Sequence, residues 1–338
     1  MSDLDTTRFF YELTPELVLN AVEETGVRCS GRILQLNSME NRVYEAEIEV
    51  DQSELKSRHE AFRVVKFYRP GRWTRAQIEE EHRFLKDLAA NDIAVAAPLE
   101  FPSDGDTIHA LPESGIMFSV FPKIGGRLLD ELDRPKLERV GRTLARLHLV
   151  GAMRLAEARL SITADSYGRA SAEYMLSTEF LPPEIRERYR QVVEEICVIT
   201  DRLAQGLGRQ RVHGDFHCGN VIWQDDQCLL VDFDDMAVAP CAQDLWLIVP
   251  GRDEEALKQR GILLDAYLQL RDFDCAELGL VEALRGLRII RFSAWIARRW
   301  DDPAFKRVFT AFGTMQYWRE HLMTLEEQLC ILQGGSWE

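Results

Sequence analysis

Three observations predict an α+β fold in two lobes, a small β-rich lobe followed by a larger helical one. Residues 30–122 carry several short runs of strand-forming residues around one helical segment. From residue 123 onward the apolar spacing is almost entirely helical. Between them, "PKIGGR" (122–127) breaks the composition and reads as a hinge. The predicted domains are therefore 1–122 and 123–338.

In order along the chain, "TPELVLNAVEET" (14–25) opens with a capping Thr14 and with Pro15, well suited to a first helical turn. "GRILQLNSMENRVYEAEIEV" alternates apolar and polar residues, which predicts strands. The polar run 51–60 reads as a hairpin connection, and "AFRVVKFYRP" as a strand ending at Pro70. In "TRAQIEEEHRFLKDLAAND", Ile78, Phe84, Leu85 and Leu88 fall on one helical side, with Thr74 as cap. Short strands are expected near Ala94–Leu99 and Ile116–Phe121. Helices are expected over 135–149 and 184–206, two β-like runs at 220–223 and 228–233, and helices again over 241–330.

Composition narrows the function. With 46% hydrophobic and 29% charged residues over 338 positions, the chain has the profile of a globular protein with an ample core. A formal charge of −15 argues against a nucleic-acid partner, because phosphate contacts need a basic surface. No apolar run is long enough to span a bilayer, so no membrane partner is expected. The acidic N-terminus lacks a signal core, and the seven cysteines form no C-x-x-C pair, which reads as reduced thiols in a cytoplasmic protein.

Three pieces carry chemistry. In "RVHGDFHCGNVIW" (211–223), Asp215 and Asn220 are five positions apart, after His213 and before a short strand. That is the spacing of the kinase catalytic loop H-R-D-x-x-x-x-N, with Gly214 in place of Arg. There the Asp accepts the proton of an attacking hydroxyl, and the Asn ligates Mg²⁺ without adding charge. In "LLVDFDD", Asp232 follows an apolar strand seventeen positions after Asp215, where kinases place a metal-holding Asp-Phe-Gly. The glycine is replaced by Asp234, either auxiliary to the metal or structural. In "RVVKFYRP", Lys66 closes a strand as the phosphate-binding lysine of kinases does. Its orienting glutamate has three candidates, Glu79, Glu80 and Glu81. Glu81 is preferred because its helix face borders Leu85 and Leu88.

Taken in this order, the pieces resemble the aminoglycoside-phosphotransferase branch of the protein-kinase-like superfamily. "VHGDFHCGNVIW" resembles that branch's H-G-D-x-H-x-x-N loop, "LARLH" its L-x-x-L-H helix, and "PCAQDLW" its downstream D-L segment. "LNSMENRVY", "VVKFYRP", "EEH" and "FPKIGGR" are similar to bacterial stress-response kinases, and the likeness runs from about residue 14 to past Trp300. The resemblance implies a bilobal kinase fold, with 1–122 as nucleotide-binding lobe and 123–338 as catalytic and substrate lobe. It implies ATP as phosphoryl donor with Mg²⁺, and transfer to protein Ser/Thr, the chain itself included, in a cytoplasmic envelope or oxidative stress response. A monomer is expected. Carried over by motif, Asp215 is the proton acceptor, Asn220 and Asp232 are the metal ligands, Lys66 binds the ATP phosphates, and Ser38 lies in the nucleotide-covering turn.

Two departures stand out. "NSMENRVY" has no glycine where kinases place G-x-G-x-x-G, so Asn37, Ser38 and Asn41 are expected to supply polar contacts instead. No Ser or Thr lies between Asp232 and Ser293, so no Ser/Thr activation loop follows the metal aspartate.

Other readings fare less well. Zinc on His213, His217 and Cys218 lacks a second ligand pair, and Gly214 and Gly219 disfavour the helix it would need. Both histidines read as loop braces. No G-x-S-x-G elbow supports a hydrolase. Arg285, Arg288, Arg291, Arg298 and Arg299 form either a solvated helix face balanced by Asp301 and Asp302 or a docking surface for an acidic protein. Cys218 and Cys241 read as buried thiols, with redox control the sharper alternative. The runner-up function is a small-molecule kinase acting on an aminoglycoside, amino alcohol, homoserine or sugar, which shares every core residue. A non-catalytic nucleotide-binding regulator is the third reading.

Overall fold

The computed structural model describes residue 10 and residues 13–51, 53 and 55–334. Helix α1 (Pro15–Glu23) begins as predicted, with the Thr14 hydroxyl accepting from Leu17 N at 3.3 Å. Strands β1 (Cys29–Leu36), β2 (Arg42–Ile48), β3 (Phe62–Phe67), β4 (His109–Ala110) and β5 (Met117–Pro122) form an antiparallel sheet in the order β1-β2-β3-β5-β4. Along β3 the side chains alternate between faces. Val65 and Phe67 pack in one cluster with Val18 and Val22 of α1, leaving Val64 and Lys66 on the opposite face. Lys66 stands in register between Val43 and Ser119, at the centre of the sheet.

Helix α2 (Arg75–Ala90) starts in a capping box in which Thr74 and Gln77 satisfy each other's backbone donors. It buries Phe84, Leu85 and Leu88 in the largest core cluster, together with helices and strands from later in the chain. Residues 94–99 form no strand. Ala94 accepts from Leu230 N at 2.9 Å and Leu99 donates to Val120 O at 2.8 Å, so the segment ties two sheets without extending either. Pro98, lacking an N–H, suits this passage.

At the expected hinge the two glycines are closely packed. A Cβ on Gly125 would lie 1.9 Å from the His59 ring, and Gly126 sits at φ +130° over the backbone of Trp223. Immediately beyond, β6 (Arg127–Leu128) joins β8 (Val221–Gln224) and β9 (Gln227–Leu230) in a three-stranded sheet. Helix α3 (Arg134–Gly151) is capped by Asp133. A π-helical turn (Ala164–Arg169), α4 (Ala170–Ser177) and α5 (Pro183–Leu203) follow. Strands β7 (Gln210–Val212) and β10 (Ala237–Ala239) pair, bracketing the catalytic-loop and metal-segment motifs. The remaining helices are α6 (Ala242–Ile248), α7 (Glu254–Leu268), α8 (Val281–Arg298), α9 (Pro303–Val308) and α10 (Met315–Leu332). A second core cluster joins α4, α5, α8 and α10 through Met175, Val193, Leu287 and Leu325. Among the described residues no helix is long and apolar enough to cross a membrane.

Candidate active site

The loop from His213 to Asn220 is held from behind. Asp244, at the start of α6 and fully buried, accepts from the backbone of His213 and Gly214, each at 2.8 Å. Its Oδ2 also lies 3.1 Å from Nε2 of buried His148 on α3. Gly214 takes φ +84°, and a Cβ there would fall 2.0 Å from Asp235 O. The loop thus packs backbone to backbone on the segment around Asp235, which accounts for glycine standing where the kinase motif has arginine. Both histidines brace the loop, as expected. His213 Nε2 donates to Val231 O at 3.0 Å, and His217 Nδ1 accepts from Gly219 N at 3.0 Å. Among the described residues no group of three His, Cys, Asp or Glu side chains is arranged to hold a metal ion.

Asp215 reaches Arg288 Nη2 through Oδ1 at 2.8 Å and His217 Nε2 through Oδ2 at 3.3 Å. Burial would raise its pKa, but the His217 hydrogen bond and the Arg288 charge outweigh that and hold the carboxylate well below the usual range. Asn220 donates Nδ2 to Asp215 O at 2.9 Å, which fixes the amide and turns Oδ1 free for another ligand. Asp232 occupies the left-handed region (φ 59°, ψ 65°), a conformation that Asp tolerates better than most residues. Its side chain is 61% exposed and its carboxylate lies 3.9 Å from Lys66 Nζ. The neighbouring Asp234 and Asp235 carboxylates crowd further negative charge beside it. A cation between these groups would relieve that repulsion. One neutral and one anionic oxygen donor suit Mg²⁺, which keeps several ligands from water and phosphate.

Lys66 Nζ stands 3.6 Å from Glu81 and 2.8 Å from Asp234. The three glutamates divide as their helix positions dictate. Glu79 pairs with Arg75 at the surface, and Glu80 accepts from the backbone of Glu157, Ala158 and Arg159. Glu81 alone faces Lys66. Asp234 is engaged by both Lys66 and Arg72, which fits the structural alternative for this carboxylate.

Sequence reasoning missed several partners. Arg159, wholly buried, donates to Glu81 at 2.5 Å and to Asp234 O at 2.8 Å, tying α2 to the metal segment. Arg72 bridges Asp234 and Asp235, the latter at 2.7 Å. Its place in "YRPGRW" was the available signal; Arg159 had none. Ser38 accepts from Asn41 N at 3.3 Å, yet no described hydrogen bond or ion pair joins it to Lys66, Asp215 or Asp232. Asn41 is buried and accepts from Arg69 N at 3.1 Å, so it braces the turn instead of offering a free polar group. The same turn is pinned across the cleft, where Glu40 accepts from Trp295 Nε1 at 2.6 Å and Arg299 Nη2 at 2.7 Å. Asp302 pairs with Arg42 and Arg69.

Beside Glu81, His82 lies buried between Tyr68 Oη at 2.9 Å and Thr107 Oγ1 at 2.7 Å. Burial, with Lys66 and Arg159 nearby, pushes its pKa down from 6.5 to about 3. Between those values the unfolded chain binds the proton and the folded chain does not, so stability is lost as pH falls. The midpoint of thermal unfolding is expected to drop below pH 6.5, and His82→Gln to flatten that slope. His321, pushed down to about 4 by burial, leaves a residual slope in the variant. An unchanged pH dependence in His82→Gln counts against a neutral buried imidazole.

Comparison with known proteins gives the family. The profile of the phosphotransferase enzyme family matches residues 35–278. The chain belongs to that family. Stress response kinase A of Escherichia coli K12 is 36% identical over 96% of this chain and 95% of its own length. A serine/threonine protein kinase RdoA of Salmonella typhimurium LT2 is 35% identical over 97% and 96%. Among solved structures, amicoumacin kinase in complex with AMP-PNP, Ca²⁺ and amicoumacin superposes with a TM-score of 0.70 at 18% identity, covering 91% of this chain and 93% of that one. A microcompartment-associated aminopropanol kinase gives 0.65 at 16%, covering 95% and 97%. The chain is a phosphotransferase with the bilobal kinase-like fold of this family, an antiparallel sheet lobe followed by a helical one.

Proposed function

We propose that this phosphotransferase is an ATP-dependent serine/threonine protein kinase of a bacterial stress response, acting in the cytoplasm. The observation that carries the chemistry is the pairing of an ionised Asp215 with a Lys66–Glu81 clamp across one cleft. The protein acceptor and the stress role are supported by full-length relatives named for them. In this reading residues 1–122 bind nucleotide under the turn containing Ser38, and Lys66, oriented by Glu81, neutralises the ATP phosphates. Asn220 Oδ1 and Asp232 hold Mg²⁺, which supplies charge compensation on the phosphates when bound. Asp215 orients the acceptor hydroxyl and takes its proton. The intact set of Lys66, Asp215, Asn220 and Asp232 argues against a non-catalytic regulator.

A small-molecule acceptor is the competing reading, favoured by solved neighbours named as amicoumacin and aminopropanol kinases. Incubation with labelled ATP, Mg²⁺ and a generic protein acceptor separates the two. Label on Ser or Thr, of the acceptor or of the chain itself, is the expected result. ATP turnover without protein labelling, but with a labelled metabolite, would establish the competing reading.

A further inference from the structure

The face of α8 that looks into the cleft carries Arg288, Arg291 and Trp295 at helical spacing, with Arg298 one further turn along. Arg288 Nη2 lies 2.8 Å from Asp215 Oδ1, and that is its one carboxylate within 4.0 Å among the described residues. The Arg291 guanidinium lies over the Tyr167 ring, 4.0 Å from its centroid, and that of Arg298 over the Tyr174 ring at 4.5 Å. Among the described residues neither has a carboxylate within 4.0 Å. In a chain of net charge −15, this is a solvent-accessible basic stripe that leads away from Asp215, with two of its guanidinium groups held over tyrosine rings. Tyr167 comes from the π-helical turn, is half-buried, and lies in the field of Arg291, Asp235, Arg288 and Asp215.

We propose that Arg288 and Arg291, backed by Tyr167, form an acceptor subsite that selects a hydroxyl residue flanked by Asp or Glu in an acidic peptide segment. The inference rests on the protein-kinase reading and deepens it. Guanidinium groups held against aromatic rings are pre-organised, and their planar forks match carboxylates in bidentate fashion. Arg288 uses one Nη to hold Asp215, so its other donors remain for an acceptor carboxylate beside the reacting hydroxyl. The same charges repel a cationic acceptor such as an amino alcohol. They also offset the long-range repulsion that a strongly acidic chain exerts on an acidic partner.

The test uses the full-length chain, labelled ATP with Mg²⁺, and three peptides that share one serine but are flanked by Glu, Gln or Lys. The Glu peptide is expected to exceed the Gln peptide in kcat/KM by roughly tenfold or more, chiefly through KM. That ratio should shrink as salt rises, which wild-type protein alone can show. Arg291→Gln is expected to bring the Glu-to-Gln ratio near one, and Arg291→Glu to turn the preference toward the Lys peptide. Equal use of Glu and Gln peptides by the wild-type chain, or a Lys preference, would overturn this inference and leave the protein-kinase reading standing. Absence of label on every peptide and on the chain itself, with a small molecule labelled instead, would overturn both.

Discussion

Asp215→Asn is expected to lower phosphoryl transfer by about 10²–10⁴-fold, the range general-base catalysis contributes. The substitution keeps the shape of the side chain and the backbone acceptor on which Asn220 rests. It removes the charge that Arg288 and His217 hold ionised, and with it the capacity to take the acceptor proton. ATP affinity should stay close to that of the parent chain, because among the described residues no ion pair links Asp215 to Lys66 or Glu81. Steady-state kinetics beside a nucleotide titration distinguish the two effects. A variant that transfers phosphate at more than a tenth of the parent rate would mean that another group accepts the proton.

Asp244→Ala is expected to cost about 3–5 kcal/mol of stability, as removing one member of a buried ionic network does. One carboxylate satisfies three donors there, the amides of His213 and Gly214 and the imidazole of His148, with no solvent to replace it. His148 is raised to about 9: burial opposes its charge, and the Cys241 thiol and Asp244 together outweigh it. Losing Asp244 therefore takes one partner from the His148 charge and leaves two amides bare. Asp244→Asn retains one acceptor oxygen and should lose less. Denaturant unfolding of both variants, read beside activity, tests the assignment. Near-parental stability in Asp244→Ala would show that the loop does not depend on this carboxylate.

Much of the active site could be read from the sequence because its chemistry sits in short runs. Asp215 and Asn220 lie in one loop and Asp232 just after an apolar strand. Lys66 closes a strand whose alternation sends it to the face opposite Val65. Glu81 could be separated from Glu79 and Glu80 by helical phase alone, and the structure places it on Lys66. The expected strand at 94–99 failed for a related reason: its apolar residues are spent on bridging two sheets, a use that local pattern does not encode. Likewise, the glycines of "PKIGGR" admit His59 and the Trp223 backbone, contacts that composition alone does not show.

The sequence by itself thus determined the two-lobed α+β order, the phosphotransferase motifs and the residue types of the candidate reacting centre. These are local quantities: apolar period, capping residues, and spacing within a loop. Only the tertiary structure decided how the charges around that centre are shared. Arg159 meets Glu81 across 78 positions, Arg72 meets Asp234 across 162, and Arg299 meets Glu40 across 259. It likewise put Arg288 on the Asp215 carboxylate and Arg291 over the Tyr167 ring. Ion pairing depends on distance in space and on burial. Nothing in the local pattern of a chain carries either before the lobes have packed.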